Sequence, residues 1–106
     1  MSKLRQGMVD AVVKNDCIRL QKLLDRGWDV KATNERGETA FSYACANDSF
    51  DAAKMLYLHG ADVNSIDIDN GSPLDWAWDW ASPEFYKWLV SVGAKHNDCT
   101  SPVPWS

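Results

Sequence analysis

Apolar residues recur along this chain with a helical spacing, and the pattern returns at a fixed interval. Leu20, Leu23 and Leu24 form one apolar stripe. Ala53, Leu56 and Tyr57 form a second, and Tyr86, Leu89 and Val90 a third. Steps of three and four residues place each set on one face of an α-helix. The spacing predicts helices over about 17–25, 50–58 and 83–91. Each of these is preceded by a second helical pattern, over about 38–47 and 72–81, with a truncated one near 5–14. Thr39 and Ser72 stand where a hydroxyl can accept bonds from the first free amides of a helix. Pro73 follows its cap at the position where a missing N–H costs nothing. Gly60 and Gly93 follow apolar runs and can take the left-handed conformation that ends a helix. The expected unit is therefore helix, short turn, helix, glycine stop, with no substantial β-sheet.

The interval is 33 residues. Gly27, Gly60 and Gly93 keep it, as do Ala11, Ala44 and Ala77, and Leu23, Leu56 and Leu89. Thr39 and Ser72, Ala40 and Pro73, and Phe41 and Leu74 share the same offset. Coincident ladders at one period mean that a single supersecondary unit is used three times and stacked on itself. Function in such a stack is expected on a surface.

The units resemble ankyrin repeats, which open on Asp-x-x-Gly-x-Thr-Pro-Leu-His-x-Ala and close on Gly-Ala-Asp-Val-Asn. The middle unit reads Asn34-Glu35-Arg36-Gly37-Glu38-Thr39-Ala40-Phe41-Ser42-Tyr43-Ala44 and closes on Gly60-Ala61-Asp62-Val63-Asn64. The third reads Asp67-Ile68-Asp69-Asn70-Gly71-Ser72-Pro73-Leu74-Asp75-Trp76-Ala77 and closes on Gly93-Ala94-Lys95-His96-Asn97. The first lacks the opening turn and closes on Gly27-Trp28-Asp29-Val30. The resemblance implies an all-α ankyrin-repeat solenoid with short turn fingers. Its single domain covers residues 1–97, in units of about 1–33, 34–66 and 67–97, followed by a tail at 98–106. Two departures stand out. Asn70-Gly71 shifts the turn glycine by one place, and Ser42 and Asp75 replace a histidine whose hydrogen bonds would steady the turn.

Composition narrows the function. At 106 residues with three units, the chain is near the minimum for a stable stack. No apolar run approaches the roughly 20 residues that span a membrane. Met1 to Gly7 show no apolar signal segment, so a cytoplasmic setting is expected. A formal net charge of −4 disfavours nucleic acid, which calls for a basic face, and suits a basic protein partner. Cys17, Cys45 and Cys99 lack metal-site spacing; the first two read as small buried hydrophobes within helices. His59 precedes a helix-ending glycine and His96 follows the last unit. Asp67-Ile68-Asp69-Asn70-Gly71 has its glycine one place early for a calcium loop, and Trp78 stands where a bidentate glutamate is needed. It reads as a polar turn. No metal, no cofactor and no catalytic constellation are expected; Asp75 and Asp79 share a helix, but nothing encloses them.

Six tryptophans remain to be placed, four of them in the third unit: Trp76, Trp78, Trp80 and Trp88. The last unit of a stack has no neighbour beyond it and needs special cover. Trp76 and Trp88 read as packing residues, and Trp78 as closure of the open end. The resemblance puts Trp80 toward the concave face, where an aromatic side chain can anchor a partner; the alternative is that it packs under the tail. The tail holds Pro102-Val103-Pro104-Trp105, an extended segment that either folds back over the third unit or stays free.

The same resemblance implies partner contacts in the turns and at the ends of the first helices. These are Glu35, Arg36 and Glu38 with Ala46 and Asn47, then Ile68, Asp69 and Gly71 with Asp79 and Trp80, with Val13 and Lys14 continuing the strip. The expected function is non-enzymatic recognition of one protein partner with a basic, partly apolar epitope, by a chain that is monomeric when free. An inhibitor or immunity protein neutralising a toxin is one version. The rival is a structural component associating through its aromatic C-terminal end.

Overall fold

A computed structural model describes residues 3–95 of the chain. Among them are six helices: α1 Gln6–Val13, α2 Cys17–Asp25, α3 Ala40–Ala46, α4 Phe50–Leu58, α5 Pro73–Trp80 and α6 Pro83–Ser91. There is no β-strand among the described residues, only isolated bridges pairing Lys3 with Thr33 and Thr33 with Thr39. The tail, and with it His96, Cys99 and the fold-back of Trp105, lies outside the described residues.

The second helices occupy the expected spans. The first helices are shorter than expected, because their caps are extended residues outside the helix. Thr39 has φ −108° and ψ 167°, and its hydroxyl accepts from the Ser42 amide at 3.2 Å. Ser72 does the same for the Asp75 amide at 3.3 Å. The Asp75 carboxylate in turn accepts from the Ser72 amide at 3.0 Å and the Ser72 hydroxyl at 2.9 Å, which completes a capping box. The aspartate in the histidine position thus secures the helix start by another route. Gly27, Gly60 and Gly93 take φ of 88°, 95° and 96°, so the glycine ladder is a ladder of left-handed helix stops.

Helices of seven to nine residues are marginal alone, and packing sustains them. α1, α3 and α5 form one closely packed row. Ala11, Ala40, Ala44 and Ala77 are all essentially buried, and their small side chains let the backbones approach. The second helices form the other layer. Between α4 and α6, aromatic rings bridge the gap: Phe50 stacks on Phe85 at 4.8 Å, and Trp88 meets Phe50 at 5.7 Å and Tyr57 at 5.5 Å edge to face. The first-helix row is thus packed by small side chains and the second-helix row by bulky rings.

The apolar stripes hold for Leu20, Leu23, Leu24, Ala53, Leu56 and Leu89, which are buried. They fail in part at Tyr57, 38% exposed, and Val90, 48% exposed. Tyr57 only leans on Trp88, and in α6 the deepest burial moves to Phe85 and Leu89.

The units are also joined by polar links. Asn15 and Asp48, 33 residues apart, both adopt φ of 54°. The Asn15 side chain accepts from the Ala52 amide, and that of Asp48 from the Ser82 amide, each at 2.9 Å. One unit's inter-helix turn therefore satisfies the N-terminus of the next unit's second helix. The third unit has Ala81 at this position, with an extended backbone and no side-chain acceptor. Asn64 fastens the far side, donating to the Gly93 carbonyl at 3.0 Å and accepting from the Lys95 amide at 2.7 Å.

Candidate partner-binding groove

The fingers are tight turns opened by Asn34 and Asp67. In the middle unit, Asn34 Oδ1 accepts from the amides of Arg36 at 2.9 Å and Glu38 at 3.0 Å. Asp67 Oδ1 does the same for Asp69 and Gly71, both at 2.9 Å. Gly37 takes the left-handed position of the first finger with φ 75°, and Asn70, 33 residues on, takes it in the second with φ 63°. The turn is therefore not shifted in the third unit: asparagine replaces glycine at the left-handed residue. Gly71 serves a different need. A Cβ there would stand 3.0 Å from Asp67 Oδ2 and 3.1 Å from Trp76 Nε1, against the two atoms of a hydrogen bond. The fingers join where the Ile68 amide donates to the Arg36 carbonyl at 2.9 Å.

Behind the fingers, two aromatic residues one period apart are held by matched partners. Asn34 Nδ2 donates to Tyr43 Oη at 3.2 Å. Trp76 Nε1 donates to Asp67 Oδ2 at 3.2 Å. Where the finger supplies a donor the ring offers an oxygen, and where it supplies a carboxylate the ring offers an N–H. Tyr43 also donates to Glu38 Oε1 at 3.1 Å, an oxygen that accepts from Asn34 Nδ2 at 2.9 Å as well. Burial, then the Glu38 charge and hydrogen bond, push the Tyr43 phenol upward from its ordinary value; Asn34 and Arg36 oppose this. The ring stays a neutral donor.

Tyr43 and Trp76 form the floor of a groove of about 380 Å³ between α3 and α5. Ser42, Ala46 and Asn47 line it from α3, Trp80 from the end of α5, and Glu38 from the finger. Trp80 is 63% exposed. It does not pack away within the described residues.

Of the contacts expected from sequence, Glu38, Ala46, Asn47 and Trp80 converge on this groove. Arg36, Asp69, Glu35 and Ile68 stand on the fingers, all exposed. The Arg36 guanidinium binds the Asp69 carboxylate across the two units and lies 3.9 Å from Glu38 Oε2. Asp79 is exposed on α5 but does not line the groove. Tyr43 and Trp76 were not singled out as contacts by sequence; adding 33 to Tyr43 would have paired them.

The segments that carry the fingers and first helices of the last two units are acidic. Residues 34–47 and 67–80 hold Glu35, Glu38, Asp67, Asp69, Asp75 and Asp79 against Arg36 alone, a net −5 in a chain whose formal net charge is −4. Asp67 is turned inward with both oxygens engaged, as a polar turn requires. No group of three or more metal-binding side chains occurs among the described residues. Cys17 and Cys45 are free thiols: Cys45 is fully buried and burial pushes its pKa up, whereas Cys17 is only half-buried, its pKa raised by burial and then by Asp51 and Asp16.

Two further surfaces differ in character. At the first unit, a cavity of about 770 Å³ is lined by Lys3, Arg5, Arg26 and Trp28 among others. The Arg5 guanidinium lies 4.8 Å from the Trp28 ring centre. At the other end, Trp78 is 56% exposed and meets Tyr86 edge to face at 5.6 Å.

Stacked helix pairs with projecting turns and a groove along the inner row define a helical-repeat protein of the protein-binding type. The chain belongs to the ankyrin-repeat family: the family model for ankyrin repeats matches residues 8–99 in three copies. It is similar to Ankyrin repeat domain-containing protein 63 of Mus musculus, with 35% identity over 71 residues, 67% of this chain and 18% of that protein. Ankyrin repeat domain-containing protein SAT10 of Stachybotrys chartarum is 33% identical over 94 residues, 89% of this chain and 5% of that protein. The chain thus spans a small part of these relatives' length. Among solved structures, the human ASB11 ankyrin repeat domain matches with a TM-score of 0.81 at 25% identity, over 86% of this chain and 41% of that one. Ankyrin repeats are protein–protein interaction modules, and the fold is typically non-catalytic. No helix among the described residues is long and apolar enough to cross a membrane.

Proposed function

We propose that this chain is a non-enzymatic binding module that engages one protein partner through the groove between α3 and α5 and the fingers beside it. The observation that carries this reading is Trp80: a large ring, mostly in solvent, at the rim of a groove with an aromatic floor and a carboxylate edge. Exposed aromatic residues beside polar rims are the usual anchors of protein interfaces. The excess of carboxylates favours a partner with a basic, partly apolar epitope. An inhibitor or immunity protein that covers a toxin's basic site is one form of this reading, with the free chain monomeric and cytoplasmic.

The test is co-purification from native cell lysate, with the tagged wild-type chain beside an Asp79→Lys, Trp80→Ala variant. A protein retained only by the wild type supports the reading. If both baits retain the same set, the groove is not the binding site. The alternative, structural association through the C-terminal end, is favoured by exposed Trp78 and Val90. It requires concentration-dependent self-association that Trp78→Ala removes.

A further inference from the structure

We infer that the groove is an arginine receptor: it takes the guanidinium of an arginine that the partner presents, between the rings of Trp76, Trp80 and Tyr43 and against the Glu38 carboxylate. This deepens the reading above and rests on it. None of the residues lining the groove carries a positive charge, and the one ionised group among them is Glu38. Aromatic faces attract a cation through their quadrupole, and more strongly where water is partly excluded. Trp76 and Tyr43 are half-buried and locked by their bonds to Asp67 and Asn34, so the floor is organised before a ligand arrives. Glu38 is held by Asn34 and Tyr43 through Oε1, and its other oxygen, Oε2, lies 3.9 Å from the Arg36 guanidinium.

The molecule already shows the preferred cation. Arg36 lies near Glu38 Oε2 while bonded to Asp69, so one guanidinium serves two carboxylates. One negative charge remains uncompensated, and the exposed Glu35 on the same finger adds to it. A guanidinium fits better than an ammonium, because it is planar, weakly hydrated and stacks on rings. Arg36 then competes with the incoming arginine, and its removal should strengthen binding.

A single cation in such a site binds with about millimolar affinity, so NMR is the suitable readout. The ¹⁵N-labelled chain is titrated with acetyl-Gly-Gly-Arg-Gly-Gly-amide, and with the same peptide carrying citrulline, which keeps the shape and removes the charge. The arginine peptide is expected to shift the indole N–H signals of Trp76 and Trp80 and the amides of Ser42 and Asn47, leaving the Trp28 and Trp78 indoles in place. Citrulline should lose these shifts. Glu38→Gln, which can keep the hydrogen bonds, should weaken binding about three- to tenfold, and Arg36→Gln should tighten it. Equal shifts with citrulline would show an apolar groove and overturn the inference. So would shifts that spread over the acidic surface without Trp76 and Trp80, or none at all. If the arginine peptide fails while capture of the partner still depends on Trp80, the inference falls and the groove remains the partner site. If capture is also indifferent to Trp80, both fall.

Discussion

Trp78 and Trp80 are two residues apart on one helix and similarly exposed, yet they belong to different surfaces. Two helical positions turn a side chain by about 200°. Trp80 meets a groove with an aromatic floor, a carboxylate edge and no cation in its lining. Trp78 meets Tyr86 on the last unit, at the end where a further repeat would stack. Exposure alone does not separate them; their neighbours do. The groove combines ring faces with the Glu38 carboxylate in one lining, whereas the end exposes Trp78 and Val90. A specific binding site needs the first combination, and a stacking surface needs only the second.

The comparison can be broken from below. Leu56, fully buried in α4, supports the middle unit on which both surfaces depend. Leu56→Ala should lower the unfolding free energy by about 2–5 kcal/mol in denaturant titration. A near-neutral result would mean that the units do not share one core. It sharpens at Trp80 itself: Trp80→Ala should weaken the captured partner by about 2 kcal/mol or more in calorimetry, with stability changed by less than about 0.5 kcal/mol. A large stability loss would make Trp80 a packing residue.

Gly71→Ala acts on the groove alone. The added methyl presses on the Asp67–Trp76 hydrogen bond, so a loss of about 1–3 kcal/mol in stability is expected, with the Trp76 indole signal displaced and that of Trp78 unmoved. Unchanged Trp76 would show that the finger yields elsewhere. Trp78→Ala should have the smallest effect, about 0.5–1.5 kcal/mol from its contact with Tyr86, and none on partner affinity. Loss of affinity there would move the site to the end of the stack.

Much of this was readable from the period. The glycine stops, the Thr39 and Ser72 caps and the spans of α2, α4 and α6 follow from local propensity at repeated positions, and repetition averages out local noise. The third-unit finger was not read correctly, because Asn70 looked like a displaced turn when it is the left-handed residue itself. Tyr57 and Val90 were expected in the core by periodicity, but a helix stripe is buried only as far as a neighbour covers it. The groove floor was missed for another reason. Trp76 reads as a packing residue and Tyr43 carries no signal of its own, and only their hydrogen bonds to Asn34 and Asp67 show that the fingers hold both rings. The links from Asn15 to Ala52 and from Asp48 to Ser82 span units and carry no local signature.

The most direct test is hydroxyl-radical footprinting of the tryptophans and tyrosines, with and without the captured partner. The groove account predicts strong protection of Trp80 and Tyr43, with Trp78 reacting as in the free chain. Protection of Trp78 and Tyr86 while Trp80 stays reactive would contradict it and place the interface at the C-terminal end of the stack.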